Sequence, residues 1–381
     1  MSAPQRQDDH PDTPPTAITL WHLAVPLRHA FEASHGTEAR REVVLVRVET
    51  ADGAMGLGEC DALSRPTYTH EYTRGAFVLL RDELVPALLA GAPPPDRFHP
   101  MARAALTTAL LDLRLRRADC SLAAHLGATR TTLARTAVLG RHPHTDALLA
   151  AVDSALSAGA VLVKLKVAGL EDLAQTAVVR ATFPQLALAA DANGALAGLT
   201  PAELIAAGLE RLGLTYLEQP YPAEDLLGCA ALRRAVGTPI ALDESVTSAA
   251  AARTALALGS LDAINIKPAR LGGVAEAAAL VAWARAEGLR AFCGGMLELG
   301  VGRAAAAAVA ALDGCDWPTD LGPSTAYVAR DITNPVLTDP NGHLVVPGGP
   351  GLGVELTADT ALAEVTVERV ILRRERTGLR P

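Results

Sequence analysis

The sequence predicts an α/β chain: a barrel of alternating strands and helices, preceded by a smaller α+β domain. Three observations carry this prediction. Lys166, Asp191, Glu218, Asp243, Lys267 and the pair Gly294-Gly295 follow one another at intervals of 25, 27, 25, 24 and 27 residues. One strand, one helix and two short loops take about that length. From about residue 137 short apolar β-runs alternate with helical periodicity, which implies parallel strands joined by crossovers. Before that point strands come first and helices second, the order of an α+β domain. The even spacing of polar strand ends favours a closed barrel, because an open sheet gathers its site at one switch point.

Residues 1–15 are polar, contain proline and lack an apolar segment, so they read as a flexible tail and not as a signal peptide. Residues 16–130 form the α+β unit. It has a β-run at 42–48, an Asp52-Gly53 turn and a second run at 55–59, then helical periodicity over 71–90 and 101–117. The barrel spans 131–333. Its β-runs include 161–167, 186–191, 216–218, 240–243, 263–267 and 291–293, with helices over 172–183, 201–212, 226–236 and 273–287. Residues 334–381 return to turn-rich β signals, among them Pro347-Gly348-Gly349-Pro350-Gly351, and are expected to pack back on the first domain.

Composition narrows the function. A chain of 381 residues suggests two domains. Half the residues are apolar and only 3% are aromatic, so the core is built from Ala, Leu and Val. A net charge of −8, with Lys and Arg scattered, argues against nucleic acid. No apolar run approaches the roughly 18–20 residues of a membrane span. Cys60, Cys120, Cys229, Cys293 and Cys315 are odd in number and show no C-x-x-C pairing, which fits free thiols in a reducing cytoplasm.

The residues at the strand ends carry the chemistry. Strand alternation puts Lys164 and Lys166 on one face and Val163, Leu165 and Val167 on the other. On an edge strand both lysines would simply be solvated; inside a barrel they need water or carboxylate partners. Lys166, nearer the mouth, is the better base, with Lys164 tuning its charge from one layer below. Asp191, Glu218 and Asp243 each end an apolar run, and any one alone reads as a turn or cap residue. Together they form an oxygen-only set suited to Mg²⁺, with Mn²⁺ or Co²⁺ able to substitute, supported by Asn193 and Glu244. The oxygen-only set disfavours zinc, and since no histidine lies between positions 145 and 342, proton transfer in the barrel falls to lysine. Lys267 is expected to face Lys166 across the mouth, its pKa lowered by burial or by a neighbouring cation such as Arg270. The rival reading makes Lys267 the Schiff-base lysine of a metal-free aldolase, which leaves the three carboxylates idle.

With K-x-K, D-A-N, E-Q-P, D-E-S and N-I-K-P at successive strand ends, the chain resembles the enolase superfamily, in the subgroup of muconate cycloisomerases, dipeptide epimerases and o-succinylbenzoate synthases. The lack of a barrel histidine sets aside the mandelate-racemase-like subgroup. The run 294–303, the Lys267-to-Gly273 segment and Ser34-x-Gly36-Thr37 are similar to the N-acylamino acid racemase/o-succinylbenzoate synthase family. The likeness runs from about residue 16 to the end. Near the last barrel strand, 319–324 lacks the paired aspartates of dipeptide epimerases, and Leu321-Gly322-Pro323 departs from the family's small polar run.

The resemblance implies a (β/α)7β TIM-like barrel, with an α+β capping domain built from the N-terminal region and the C-terminal tail. It implies Mg²⁺ on Asp191, Glu218 and Asp243, and enolisation of a small anionic carboxylate by Lys166 and Lys267. The implied reaction is N-acylamino acid racemisation, with o-succinylbenzoate synthesis expected beside it. The alternatives are o-succinylbenzoate synthesis for menaquinone as the sole role, or another reaction of the muconate-cycloisomerase or dipeptide-epimerase type. A metal-binding scaffold without catalysis is the non-enzymatic alternative. Substrate contacts are expected from Ser34, Gly36, Thr37, Tyr68, Gly294, Gly295 and Met296, and assembly as a dimer or octamer.

Overall fold

A computed structural model of the chain describes residues 14–33, 36–92 and 99–374, with backbone alone for 29–33, 36–38 and 359. The first unit is an antiparallel sheet of β1 (Ala17–Ala33), β2 (Gly36–Glu49) and β3 (Met55–Cys60). Both faces of this sheet are apolar. Ile18, Leu20, Val44, Val46 and Val48 pack on the unit's own helices through Phe77, Leu80, Ala105 and Leu113. Leu23, Val25, Val43, Leu45 and Leu57 face the other way and join the core of the barrel. The sheet is therefore the layer that fastens the cap to the barrel. Helix Pro100–Arg117 lies hard against β3: a Cβ on Gly58 would sit 1.8 Å from the Ala105 carbonyl oxygen, so only glycine allows this approach.

After the short β4 (Thr132–Leu133), seven parallel strands follow in sequence order: β5 (Thr136–Leu139), β6 (Leu162–Lys166), β7 (Leu188–Asp191), β8 (Leu217–Glu218), β9 (Ile240–Leu242), β10 (Ala263–Ile266) and β11 (Arg290–Cys293). Segment 317–320 closes the ring. The Trp317 and Asp320 amides donate to Ala291 and Cys293 of β11, while Thr319 exchanges backbone bonds with Ala134 and Thr136 on the β5 side. Below the mouth the interior is plugged by a triangle of rings, Tyr216 stacking on Phe292 at 5.0 Å and on Trp317 at 4.8 Å, with Phe292 and Trp317 themselves 6.2 Å apart. β12 (Leu344–Val345) pairs with β4, and β13 (Thr366–Arg373) pairs antiparallel with β1 along the cap's edge.

Two helices differ from the sequence reading. The run over 201–212 breaks into Pro201–Ala206 and a 3-10 turn Leu209–Leu212, because Gly208 between them has φ 95°. The run over 71–90 is continuous from Thr73 to Leu89 but passes through a π-turn at Leu80–Leu84. Among the described residues no helix is long and apolar enough to cross a membrane, and all five cysteines are free.

Candidate active site

Consecutive strand ends build the barrel mouth. β6 ends at Lys166, β7 at Asp191 and β8 at Glu218, while Asp243 and Lys267 directly follow β9 and β10. Parallel register pairs Lys166 with Asp191 and Asp191 with Glu218, which sets these side chains at one height. Counted round the closed ring from β5, the lysine-bearing strands are second and sixth of eight. Lys166 and Lys267 therefore stand on opposite walls, with the three carboxylates on the arc between them.

The contacts fall into three groups. Lys166 Nζ donates to Asp191 Oδ2 and Asn193 Oδ1, each at 2.7 Å, and Asn193 Nδ2 donates on to Glu244 Oε1 at 2.8 Å. Lys164 Nζ donates to Glu218 Oε2 at 2.6 Å and Asp320 Oδ2 at 2.5 Å, while Asn265 Nδ2 donates to Glu218 Oε1 at 2.7 Å. Lys267 Nζ donates to Asp243 Oδ2 at 2.8 Å and to the Tyr68 hydroxyl at 3.1 Å. The buried Arg270 guanidinium donates to Asp243 Oδ1 and to Tyr68, and Tyr68 in turn donates to Asp243.

Residues 16–127 match the family described as mandelate racemase / muconate lactonizing enzyme, N-terminal domain, and residues 147–360 match the enolase C-terminal domain-like family. The chain belongs to the enolase superfamily. It is 39% identical over 366 residues to an N-succinylamino acid racemase of Amycolatopsis sp, covering 93% of this chain and 98% of that protein. It is 37% identical over 349 residues to an o-succinylbenzoate synthase of Geobacillus kaustophilus, covering 89% and 92%. A solved enolase-superfamily structure from Listeria innocua Clip11262 superposes with a TM-score of 0.88 at 30% identity, covering 95% of this chain and all of that one.

Superfamily enzymes generally use a divalent metal, and these carboxylates are the groups that would hold one. Each of the three is engaged by a cation, and among the described residues no three acidic, histidine or cysteine side chains surround a common point. The donor set nevertheless fits. Burial, then the charge of Asp191, pushes Glu218 up to about 8; burial, then the charge of Asp243, pushes Glu244 up to about 7. Buried Glu244 Oε2 accepts no hydrogen bond. Burial also pushes Asp191 and Asp243 up, but Lys166 and Lys164 at the first and Lys267 and Arg270 at the second outweigh it and hold both below their ordinary values. The shortage of positive charge therefore lies at Glu218 and Glu244, and all the donors are oxygen.

One electrostatic expectation is reversed. Burial pulls the Lys267 ammonium down, but the adjacent Asp243 carboxylate outweighs it, and the group is held above its ordinary value.

Of the expected pocket residues, Ser34 lies outside the described residues. Gly36 and Thr37 are described as backbone alone, paired with Ala33 and Glu32 at the end of the β1–β2 hairpin. Tyr68 is half-buried on the Lys267 wall and bonded to it. The Gly294 amide donates to Ile266, and a Cβ there would lie 2.2 Å from Asn265 Oδ1, so a side chain would dislodge the residue that holds Glu218. A Cβ on Gly295 would come 3.1 Å from Arg303 Nη1. Met296 turns into the seam and packs in the cap's core.

Five supporting residues lie outside the sequence reading. Gln219 Oε1 accepts the Asp243 and Ser245 amides, so Glu218-Gln219-Pro220 braces Asp243-Glu244-Ser245; the polar residue inside a buried strand end was the available signal. Asn265 and Asp320 hold Glu218 and Lys164 as described above. From the cap, Arg41 Nε donates to Leu297 O at 2.9 Å, and both oxygens of Glu59 accept amides at the start of helix Gly300–Ala310, from Leu299 and Gly302. Leu297 has φ 58°, a left-handed conformation disfavoured for leucine, and the cap holds its carbonyl there.

The raised carboxyls set a pH dependence. Glu59, Glu244 and Glu218 lie at about 7, about 7 and about 8, against an ordinary value of 4.5. The folded chain thus holds protons that the unfolded chain releases. Their contribution to stability is complete below 4.5 and lost as pH rises through 7 to 8. EDTA-treated protein is expected to melt roughly 5 °C or more lower at pH 8.5 than at pH 6. Mg²⁺ should raise the melting temperature more at pH 8.5, where it replaces a missing proton. Equal melting temperatures of the EDTA-treated protein at both pH values would contradict this charge assignment.

Proposed function

We propose that the chain catalyses metal-assisted enolisation of a carboxylate substrate, as an N-succinylamino acid racemase that also forms o-succinylbenzoate. The observation that carries this reading is the placement of Lys166 and Lys267 on opposite walls, flanking the carboxylate arc. A planar enolate between two such walls is open to an amine on each face. The likeness to proteins of both names supports the acyl substrate class.

In this reading Asp191, Glu218 and Asp243 would hold Mg²⁺, replaceable by Mn²⁺ or Co²⁺, which when bound chelates the substrate carboxylate and offsets the second negative charge of the enolate. One lysine takes the α-proton and the opposite lysine delivers a proton to the far face, which inverts the centre. Asn193 orients Lys166 through Oδ1, and Tyr68 does so for Lys267 through its hydroxyl. Lys164, one layer down, keeps positive charge beneath Glu218 and Asp191.

The dehydration reading draws on a specific feature. Lys267 is held as an ammonium by Asp243, which suits a fixed cation facing a developing ring while Lys166 removes the proton and hydroxide departs on the same side. One preparation assayed with N-succinyl-L-phenylalanine by chiral chromatography, and with the hydroxy-cyclohexadiene carboxylic acid by loss of diene absorbance, tests both activities. Turnover of neither substrate in the presence of Mg²⁺ would overturn the assignment of substrate class.

A further inference from the structure

Lys164 is 2% exposed, and its surroundings are unequal. Its ammonium lies 2.6 Å from Glu218 Oε2, 2.5 Å from Asp320 Oδ2 and 3.7 Å from Asp191 Oδ2, with the Phe292 ring centroid 5.5 Å away. A buried ammonium is tolerated only when its charge is matched. Two of its three carboxylates are the proposed metal ligands. Whatever charge they give to a metal ion they withdraw from Lys164. Asp320 is the third, and it holds no place among those ligands.

Asp320 is also built in. Its side chain is 7% exposed, and its amide is pinned to Cys293 in the segment that closes the barrel. Its second oxygen, Oδ1, is buried without a hydrogen-bond partner, as is the nearby hydroxyl of Tyr216, so the carboxylate's bond is to Lys164.

We propose that Asp320 is a positioning residue: the dedicated counter-charge of Lys164, which keeps that lysine from competing with the metal ion for Glu218 and Asp191. The inference rests on the metal-assisted reading given above. It assigns Asp320 no contact with substrate and no proton transfer. With the carboxylate removed, the ammonium has only the metal ligands to pair with, and metal binding weakens. With both charges removed together, the ligands are free again.

Mn²⁺ binding followed by electron paramagnetic resonance tests this directly, with no substrate present. Asp320→Asn should weaken Mn²⁺ binding about 10-fold or more, and the double variant K164M/D320N should recover to within about threefold of the unmodified chain. A purely structural role gives the opposite pattern, because the double variant would then be at least as impaired as D320N. Should D320N fail to fold, the double variant alone decides: affinity more than about 10-fold below the unmodified chain overturns the proposal. D320N binding Mn²⁺ as the unmodified chain does also overturns it. Failure of the unmodified chain to bind Mn²⁺ would overturn the metal reading itself, a result distinct from either.

Discussion

Lys166→Ala and Lys267→Ala are each expected to lower N-succinylamino acid racemisation by about 10³-fold or more, the scale of a lost general acid–base group. The two lysines cannot replace one another, since they extend from the second and sixth positions of an eight-membered ring. Lys166 is the more open, with 18% of its side chain exposed against 9% for Lys267. The loss should be stereochemically split. Each variant keeps one amine, so each should still exchange the α-proton of one enantiomer with solvent, and the two variants should prefer opposite enantiomers. Solvent-exchange rates measured separately on the L and D substrates read this out. Racemisation retained by either variant would end the two-base scheme.

Glu218→Gln is expected to abolish metal-dependent turnover, by about 10³-fold. Glu218 is fully buried and accepts from Lys164 on one oxygen and from Asn265 on the other. The amide keeps the volume but removes the charge and turns an NH₂ toward a donor, leaving a buried mismatch as well as a lost ligand. Calorimetric titration with Mg²⁺ should show binding weakened at least 100-fold, and the rise in melting temperature on adding Mg²⁺ at pH 8.5 should vanish. Unchanged metal-dependent activity in this variant would remove Glu218 from the site.

Much of this architecture was legible because a barrel repeats. A polar residue at the end of each apolar run shows in the sequence as a period, and the period alone places Lys166, Asp191, Glu218, Asp243 and Lys267 round one mouth. Residues outside that rhythm were harder to read. Asp320 sits in a closing segment too irregular to show strand alternation, so its partnership with Lys164 shows only in three dimensions. Arg41 and Glu59 look like ordinary polar positions on cap strands, yet both are buried because the sheet's second face meets the barrel. The raised Lys267 follows from its distance to Asp243, which spacing along the chain does not encode.

The most direct test of enolisation is proton NMR of N-succinyl-L-phenylalanine in D₂O with the purified protein, with Mg²⁺ and with EDTA. The account predicts loss of the α-proton signal and appearance of the D-enantiomer with Mg²⁺, and neither with EDTA. Persistence of the α-proton signal in the presence of Mg²⁺, on a substrate shown to bind, would contradict it.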